Sequence, residues 1–166
     1  MDELKRVLLE TLALKDLPRA GWVAKGVKSP ESVASHSWGL AWLTLVLCPP
    51  NLNRGRILEM AALHDLAEVR VGDITPHDGI SDEEKFQKEN EAMISILEPM
   101  CHREELKSIW DEYEQGTTPE AKFLKSMDKL DMALQAQRYG NLTEFIDSAL
   151  KILDDELHRK LARIDN

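Results

Sequence analysis

The sequence predicts an all-α fold, and three observations predict it. Apolar residues recur at three-to-four spacing along almost the whole chain. No alternating β-branched run interrupts them. Ser, Thr, Asn, Pro and Gly fall where helices begin and end. At 166 residues the chain has the length of one domain, residues 1–166, with enough apolar sequence for a sizeable core.

Each helix follows from local signals. Leu4, Val7, Leu8, Thr11, Leu12 and Leu14 follow the three-to-four spacing of an amphipathic first helix that stops before Pro18. Ser29 and Pro30 read as a cap and a first-turn proline for a helix running to about residue 47. Pro49 to Asn53 turns the chain, and Asn53 caps a helix that carries His64 and ends at Gly72. Residues 73–78 read as a loop. Ser81, followed by three acidic residues, starts a helix to about Leu97. A shorter helix covers residues 103–114, and Thr118-Pro119-Glu120 opens a strong one to about Arg138. One or two more fill residues 143–163.

Composition bounds the function. A net charge of -9 argues against a nucleic-acid or anionic-membrane binder, since both need positive surface. It leaves room for a small anionic substrate held by a metal and a few basic groups. The most apolar stretch, residues 39–48, is about half of the ~20 residues a membrane span needs, and Pro49-Pro50 ends it. No cationic leader with an apolar core follows Met1. Cys48 and Cys101 lack metal-type spacing and read as buried free thiols of a reducing compartment. The expectation is a cytoplasmic protein.

The run Leu63-His64-Asp65-Leu66-Ala67-Glu68 carries the chemistry. Its flanks are apolar from Ile57 to Val69, yet acidic residues are almost never fully buried without a partner. On a helix His64 and Asp65 lie about 100° apart, with Glu68 between them one turn later. A bound metal satisfies three such groups on one arc.

His36 begins an otherwise apolar stretch, where a lone histidine is commonly core. Asp128 and Asp131 both flank the stripe Leu124, Met127, Leu130 and Leu134, where they could instead pair with a neighbouring Lys or Arg. Together, His36, His64, Asp65 and Asp128 offer two imidazoles and two carboxylates from three helices. That donor set suits Mn, Fe, Co, Ni or Zn and is too nitrogen-rich for a dedicated calcium site. Between Leu17 and Pro30 the charged residues are Arg19, Lys25 and Lys28, a local reversal of sign that suits a phosphate monoester. For Lys25 and Lys28 a solvated basic loop explains the pattern equally well.

In order, His36, His64-Asp65 and Asp128 resemble the signature of the HD-domain metal-dependent phosphohydrolases. Three blocks are similar to the 5'-deoxynucleotidase branch: Gly21-Trp22-Val23 with Pro30 to His36, His64 through Pro76, and Asp128 through Ala136. The bacterial members carry Arg directly before the Trp; here Gly21 stands there and Arg19 lies two places earlier, a form that resembles eukaryotic and archaeal members. The resemblance implies His36, His64, Asp65 and Asp128 as ligands of a divalent metal, with Asp128 rather than Asp131 as the fourth. It implies Glu68 and Asp73 as catalytic carboxylates, Arg19 as the phosphate ligand, and a substrate pocket along Asp73-Ile74-Thr75-Pro76. Glu68 and Asp73, all oxygen donors, could share a second cation such as Mg²⁺.

The expected activity is removal of the 5'-phosphate from (deoxy)ribonucleoside monophosphates. Trp22 is expected against the sugar, with its ring on the C2' methylene. The rival readings are another HD hydrolysis, of an alarmone or a nucleotide diphosphate bond, or a helical interaction module with a structural metal. His77, His102 and His158 read as surface or structural. Apolar residues from Phe145 to Ile164 exceed what one small bundle needs; with the resemblance, they imply a homodimer.

Overall fold

The computed structural model describes residues 2–164. Helices α1 (Asp2–Thr11), α2 (Ala20–Ala24), α3 (Val33–Leu47), α4 (Arg54–Leu63), α5 (Glu68–Val71), α6 (Asp82–Leu97), α7 (Arg103–Gln115), α8 (Pro119–Arg138), α9 (Thr143–Ile152) and α10 (Glu156–Ala162) follow in order. Short 3₁₀ turns cover Leu12–Lys15 and Pro76–Asp78. The fold is all-α, and among the described residues the extended pairing is confined to one isolated bridge between Pro18 and Ser32.

The centre is α8, which packs against α3, α4, α7, α9 and α10. Leu124, Met127, Leu130, Ala133 and Ala136 on it are fully buried against Leu40, Ile57, Met60 and Ala149. Burying a Leu or Met side chain is worth roughly 1.5–3 kcal/mol, so this seam fixes α3, α4 and α8 relative to one another. A smaller cluster of Ala67, Ala92, Met93, Leu97 and Trp110 ties α5 and α6 to α7.

Several local signals act as read. Asn53, Ser81 and Thr118 cap α4, α6 and α8, each accepting a backbone N–H from three residues on. Gly72 stops α5 at φ 81° and Gly116 stops α7 at φ 61°, conformations that favour glycine.

Three expectations need correction. Helix α3 starts at Val33, capped by Ser32, and not at Pro30 behind Ser29. The bonds Arg19 N–H to Glu31 O (3.0 Å) and Val33 N–H to Leu17 O (2.9 Å) hold Pro30 in an extended crossing. The helix bearing His64 is interrupted: α4 ends at Leu63 and α5 begins at Glu68. The Trp110 indole donates to the His64 carbonyl at 3.2 Å, so the Glu68 N–H turns to the Asp65 carbonyl at 3.1 Å. A tertiary contact thus tightens the helix for one turn, with no Gly or Pro to announce it.

Cys101 is exposed and Cys48 half-buried, so neither thiol is a core residue. The C-terminal apolar set also folds inward: Ile146, Ala149, Leu153 and Ala162 are buried on α8. They form this chain's own core, while Ile152, Leu157, Leu161 and Ile164 of the same set stay exposed.

Candidate metal centre and cleft

Where α3, α4 and α8 meet, two imidazoles converge. His36 comes from the first turn of α3 and is 1% exposed; His64 stands at the C-cap of α4 and is 5% exposed. Their ring centroids lie 5.3 Å apart. Each ring has one nitrogen engaged. The Nδ1 of His64 lies 3.0 Å from the Ala61 carbonyl, and as a donor there it leaves Nε2 with a lone pair. The Nδ1 of His36 lies 2.7 Å from Asp131 Oδ2.

Both Nε2 atoms are buried without a hydrogen-bond partner. They face carboxylate oxygens: His64 Nε2 is 3.0 Å from Asp65 Oδ2, and His36 Nε2 is 3.2 Å from Asp128 Oδ1. A lone pair aimed at a carboxylate is repulsive, so the arrangement calls for positive charge between them. The ligand atoms of His36, His64 and Asp65 all lie within 4.8 Å of one another, with Asp128 joined through His36. The cluster can hold a divalent metal.

Burial and the Arg19 charge push the His36 imidazole down, but the Asp128 and Asp131 carboxylates at its two edges outweigh them and raise it to about 9, so that without an ion a proton takes the place of its positive charge. Burial works against ionised Asp65, yet His64, His36 and Arg19 hold its carboxyl below the usual range. Asp128 is held well below it against the same penalty, by His36, Lys129 and Arg19. Glu68 goes the other way. Burial, with Asp65 and Asp73 nearby, pushes it up to about 10, and its Oε2 has no partner. Two carboxylates held ionised beside one held protonated is a division of labour seen at catalytic sites.

The centre floors a cleft of about 950 Å³. Arg19 overlooks it from the N-cap of α2, its Nη1 3.4 Å from Asp65 Oδ2. Burial opposes its charge, but Asp65, Asp128, Asp73 and Glu68 together raise its pKa. Asp73 accepts the Ala20 N–H at 2.7 Å, which joins the two walls. Ile74, Thr75 and Pro76 line the same wall. There Asp78 accepts the Thr75 N–H and hydroxyl at 2.6 and 2.8 Å and fixes the loop. Arg19 thus stands at a helix start among carboxylates, while Lys25 and Lys28 are exposed on the turn after α2.

Trp22 corrects the sugar-stacking expectation. It touches the cleft but is only 2% exposed, its ring 4.4 Å from Phe145 and 5.3 Å from Tyr139 between centroids. Its Nε1–H donates to Glu31 at 2.9 Å. It braces the wall and has no free face for a sugar. Phe145, Met132 and Ile152 line that side instead. The sequence pattern does not reveal them, nor Lys85 and Phe86 of α6. A lysine at a polar helix start carries no local sign of facing a site 20 residues earlier in the chain. Asp131, which the family signature passes over, sits directly on the His36 ring. His77 and His102 are exposed, while His158 is buried against Phe123 and Ser126.

Residues 12–164 match the HD domain family model. This chain belongs to the HD-domain family. The HD domain is 44% identical over 132 residues to 5'-deoxynucleotidase hdd1 of Schizosaccharomyces pombe, covering 76% of this chain and 67% of that protein. It is 44% identical over 144 residues to the human 5'-deoxynucleotidase HDDC2, covering 81% and 71%. Among solved structures it is similar to a protein from Pyrococcus horikoshii, with a TM-score of 0.79 at 33% identity, covering 96% of this chain and 99% of that one. The two unpartnered Nε2 atoms belong to His36 and to His64 of the His64-Asp65 couplet, residues that carry the family resemblance in sequence.

Proposed function

We propose that this HD domain, taken as one unit over residues 1–166, is a divalent-metal-dependent phosphohydrolase that removes the 5'-phosphate from nucleoside monophosphates, deoxyribonucleotides included. The two unpartnered Nε2 atoms under an arginine-capped cleft carry the chemical side of this reading. Kinship with the yeast and human 5'-deoxynucleotidases supports the substrate class.

His36, His64, Asp65 and Asp128 would hold the ion; Mn, Co, Fe, Ni or Zn suits two imidazoles and two carboxylates. When bound, a divalent ion acidifies water and offsets phosphate charge. The guanidinium of Arg19, held charged by its carboxylate neighbours, binds the phosphate oxygens. Glu68, kept protonated by burial beside Asp65 and Asp73, gives its proton to the leaving 5'-oxygen and takes one back from the attacking water. Asp73, fixed by the Ala20 N–H, orients the water on the phosphorus. A bond forms from water oxygen to phosphorus, the P–O5' bond breaks, and inorganic phosphate and a nucleoside leave. Glu68 and Asp73 are also the pair that would share a second, hard cation such as Mg²⁺. The Asp73–Pro76 wall and Phe145 enclose the nucleoside.

Release of inorganic phosphate from a panel of ribo- and deoxyribonucleoside monophosphates, with each metal in turn, tests this. Release from 5'-monophosphates is expected. No release from any of them, with hydrolysis of an alarmone or nucleotide diphosphate instead, refutes it; stoichiometric metal with no hydrolysis at all makes the centre structural.

We also infer a homodimer, and the larger exposed apolar face lies on α3 rather than at the C-terminal end. Helix α3 carries no Asp, Glu, Lys or Arg, and its outer side presents Trp38 (70% exposed), Trp42, Leu45 and Val46. Leu8, Leu9 and Leu12 add exposed apolar surface on α1 and the turn that packs on α3. A charge-free patch is compatible with its own copy across a two-fold axis. Light scattering should give twice 18.9 kDa, and Trp42→Glu should halve it; 18.9 kDa for the wild type at micromolar concentration refutes pairing. No described helix is long and apolar enough to cross a membrane, and a cytoplasmic setting accords with the two free cysteines.

A further inference from the structure

We propose that Asp131, seated against Gly39, is the positioning residue that aims His36 Nε2 at the metal; the inference rests on the metal reading above. Asp128 and Asp131 are one turn apart on α8 and take the two edges of one imidazole. Asp128 Oδ1 lies 3.2 Å from Nε2 and Asp131 Oδ2 lies 2.7 Å from Nδ1. Asp131 is thus the partner that keeps hydrogen on Nδ1 and the lone pair on Nε2, where Asp65 and Asp128 converge. A partner on the far ring nitrogen fixes both tautomer and ring orientation.

Room for that carboxylate comes from Gly39. Glycine is a poor choice inside a helix, and Gly39 lies three residues beyond His36, on the same side of α3. A Cβ built there would overlap Asp131 Oδ1 and come within 3.0 Å of Cγ. Any side chain at 39 therefore displaces Asp131 from His36. Glu31 is the other acid within reach, its ligand atom within 4.8 Å of those of His36 and Asp131. It is already held by the Trp22 indole, which leaves the Nδ1–H to Asp131. Asp131 therefore touches a ligand and not the ion, a role distinct from that of Asp128.

The test is Co²⁺ binding to metal-free protein, by competition with a fluorescent chelator and by the visible absorption of the bound ion. Melting of the metal-free proteins is followed in parallel. Asp131→Ala should weaken binding by about 10- to 100-fold. Asp131→Asn keeps an oxygen acceptor and should stay within about threefold of wild type. Gly39→Ala should weaken binding like Asp131→Ala, and the double variant no further, since both remove one contact. Wild-type affinity in Asp131→Ala, an Asn variant as weak as the Ala one, or losses that add in the double variant would each overturn the inference. Failure of the wild type to bind Co²⁺, or unchanged binding in His64→Ala, overturns the metal reading and this inference with it.

Discussion

Replacing Arg19 with alanine separates the phosphate from the metal. The guanidinium lies 3.4 Å from Asp65, with a side chain 17% exposed. Two magnitudes bracket its worth. A hydrogen bond to a charged group contributes about 1.5–3 kcal/mol net. Two unit charges about 4 Å apart near a protein surface interact by about 4 kcal/mol as an upper bound. At about 1.4 kcal/mol per decade, kcat/KM should fall by roughly 10- to 1000-fold. The fall should be equal for every base and sugar, since each substrate carries the same phosphate. Metal binding should hold or tighten, because removing a positive charge beside Asp65 and Asp128 takes repulsion away from a bound cation. Arg19→Lys should recover part of the loss, keeping charge but not the two-pronged grip. The assay is steady-state phosphate release from dAMP, dCMP and AMP, with elemental analysis of the same preparations. A kcat/KM within threefold of wild type, or a loss confined to one base, refutes the role assigned to Arg19.

Glu68→Gln should retain metal and nucleotide binding yet lower kcat by at least ~10²-fold, because the amide cannot exchange a proton at that atom; unchanged kcat makes Glu68 a packing residue. Trp22→Ala should cost about 3–5 kcal/mol of stability in urea unfolding, since the ring is core; an unaltered midpoint with a narrowed dAMP-to-AMP gap would restore the sugar-facing role. Burial pushes the Glu89 carboxyl from 4.5 up to about 7, against the pull of Lys85. An acid raised on folding stabilises fully below its unfolded value and loses that stability as pH climbs to the folded one. Glu89→Gln in metal-free protein should thus match wild type near pH 4.5 and exceed it at pH 8, by ~1–2 kcal/mol after solvent screening. Parallel melting curves across that range refute it.

What the chain declares for itself is local. Caps at Asn53, Ser81 and Thr118 act within three residues, so they are readable without knowing the neighbours. The His64-Asp65 couplet is legible because charge inside an apolar run demands a partner wherever the run is buried. What required the tertiary structure is whatever one element does to another. The indole of Trp110 takes the His64 carbonyl and breaks a helix that propensity alone would continue. Crossing segments of chain at Pro18 and Ser32 move the start of α3 past a proline that looked like its first turn. Trp22 turns inward and α3 shows two tryptophans outward, a choice made by which faces α8 and α9 leave open. The sharpest case is the pair Asp128 and Asp131. Three residues apart on one helix, they are equivalent by periodicity; only the ring of His36 lying between them, over the gap at Gly39, gives each a different nitrogen.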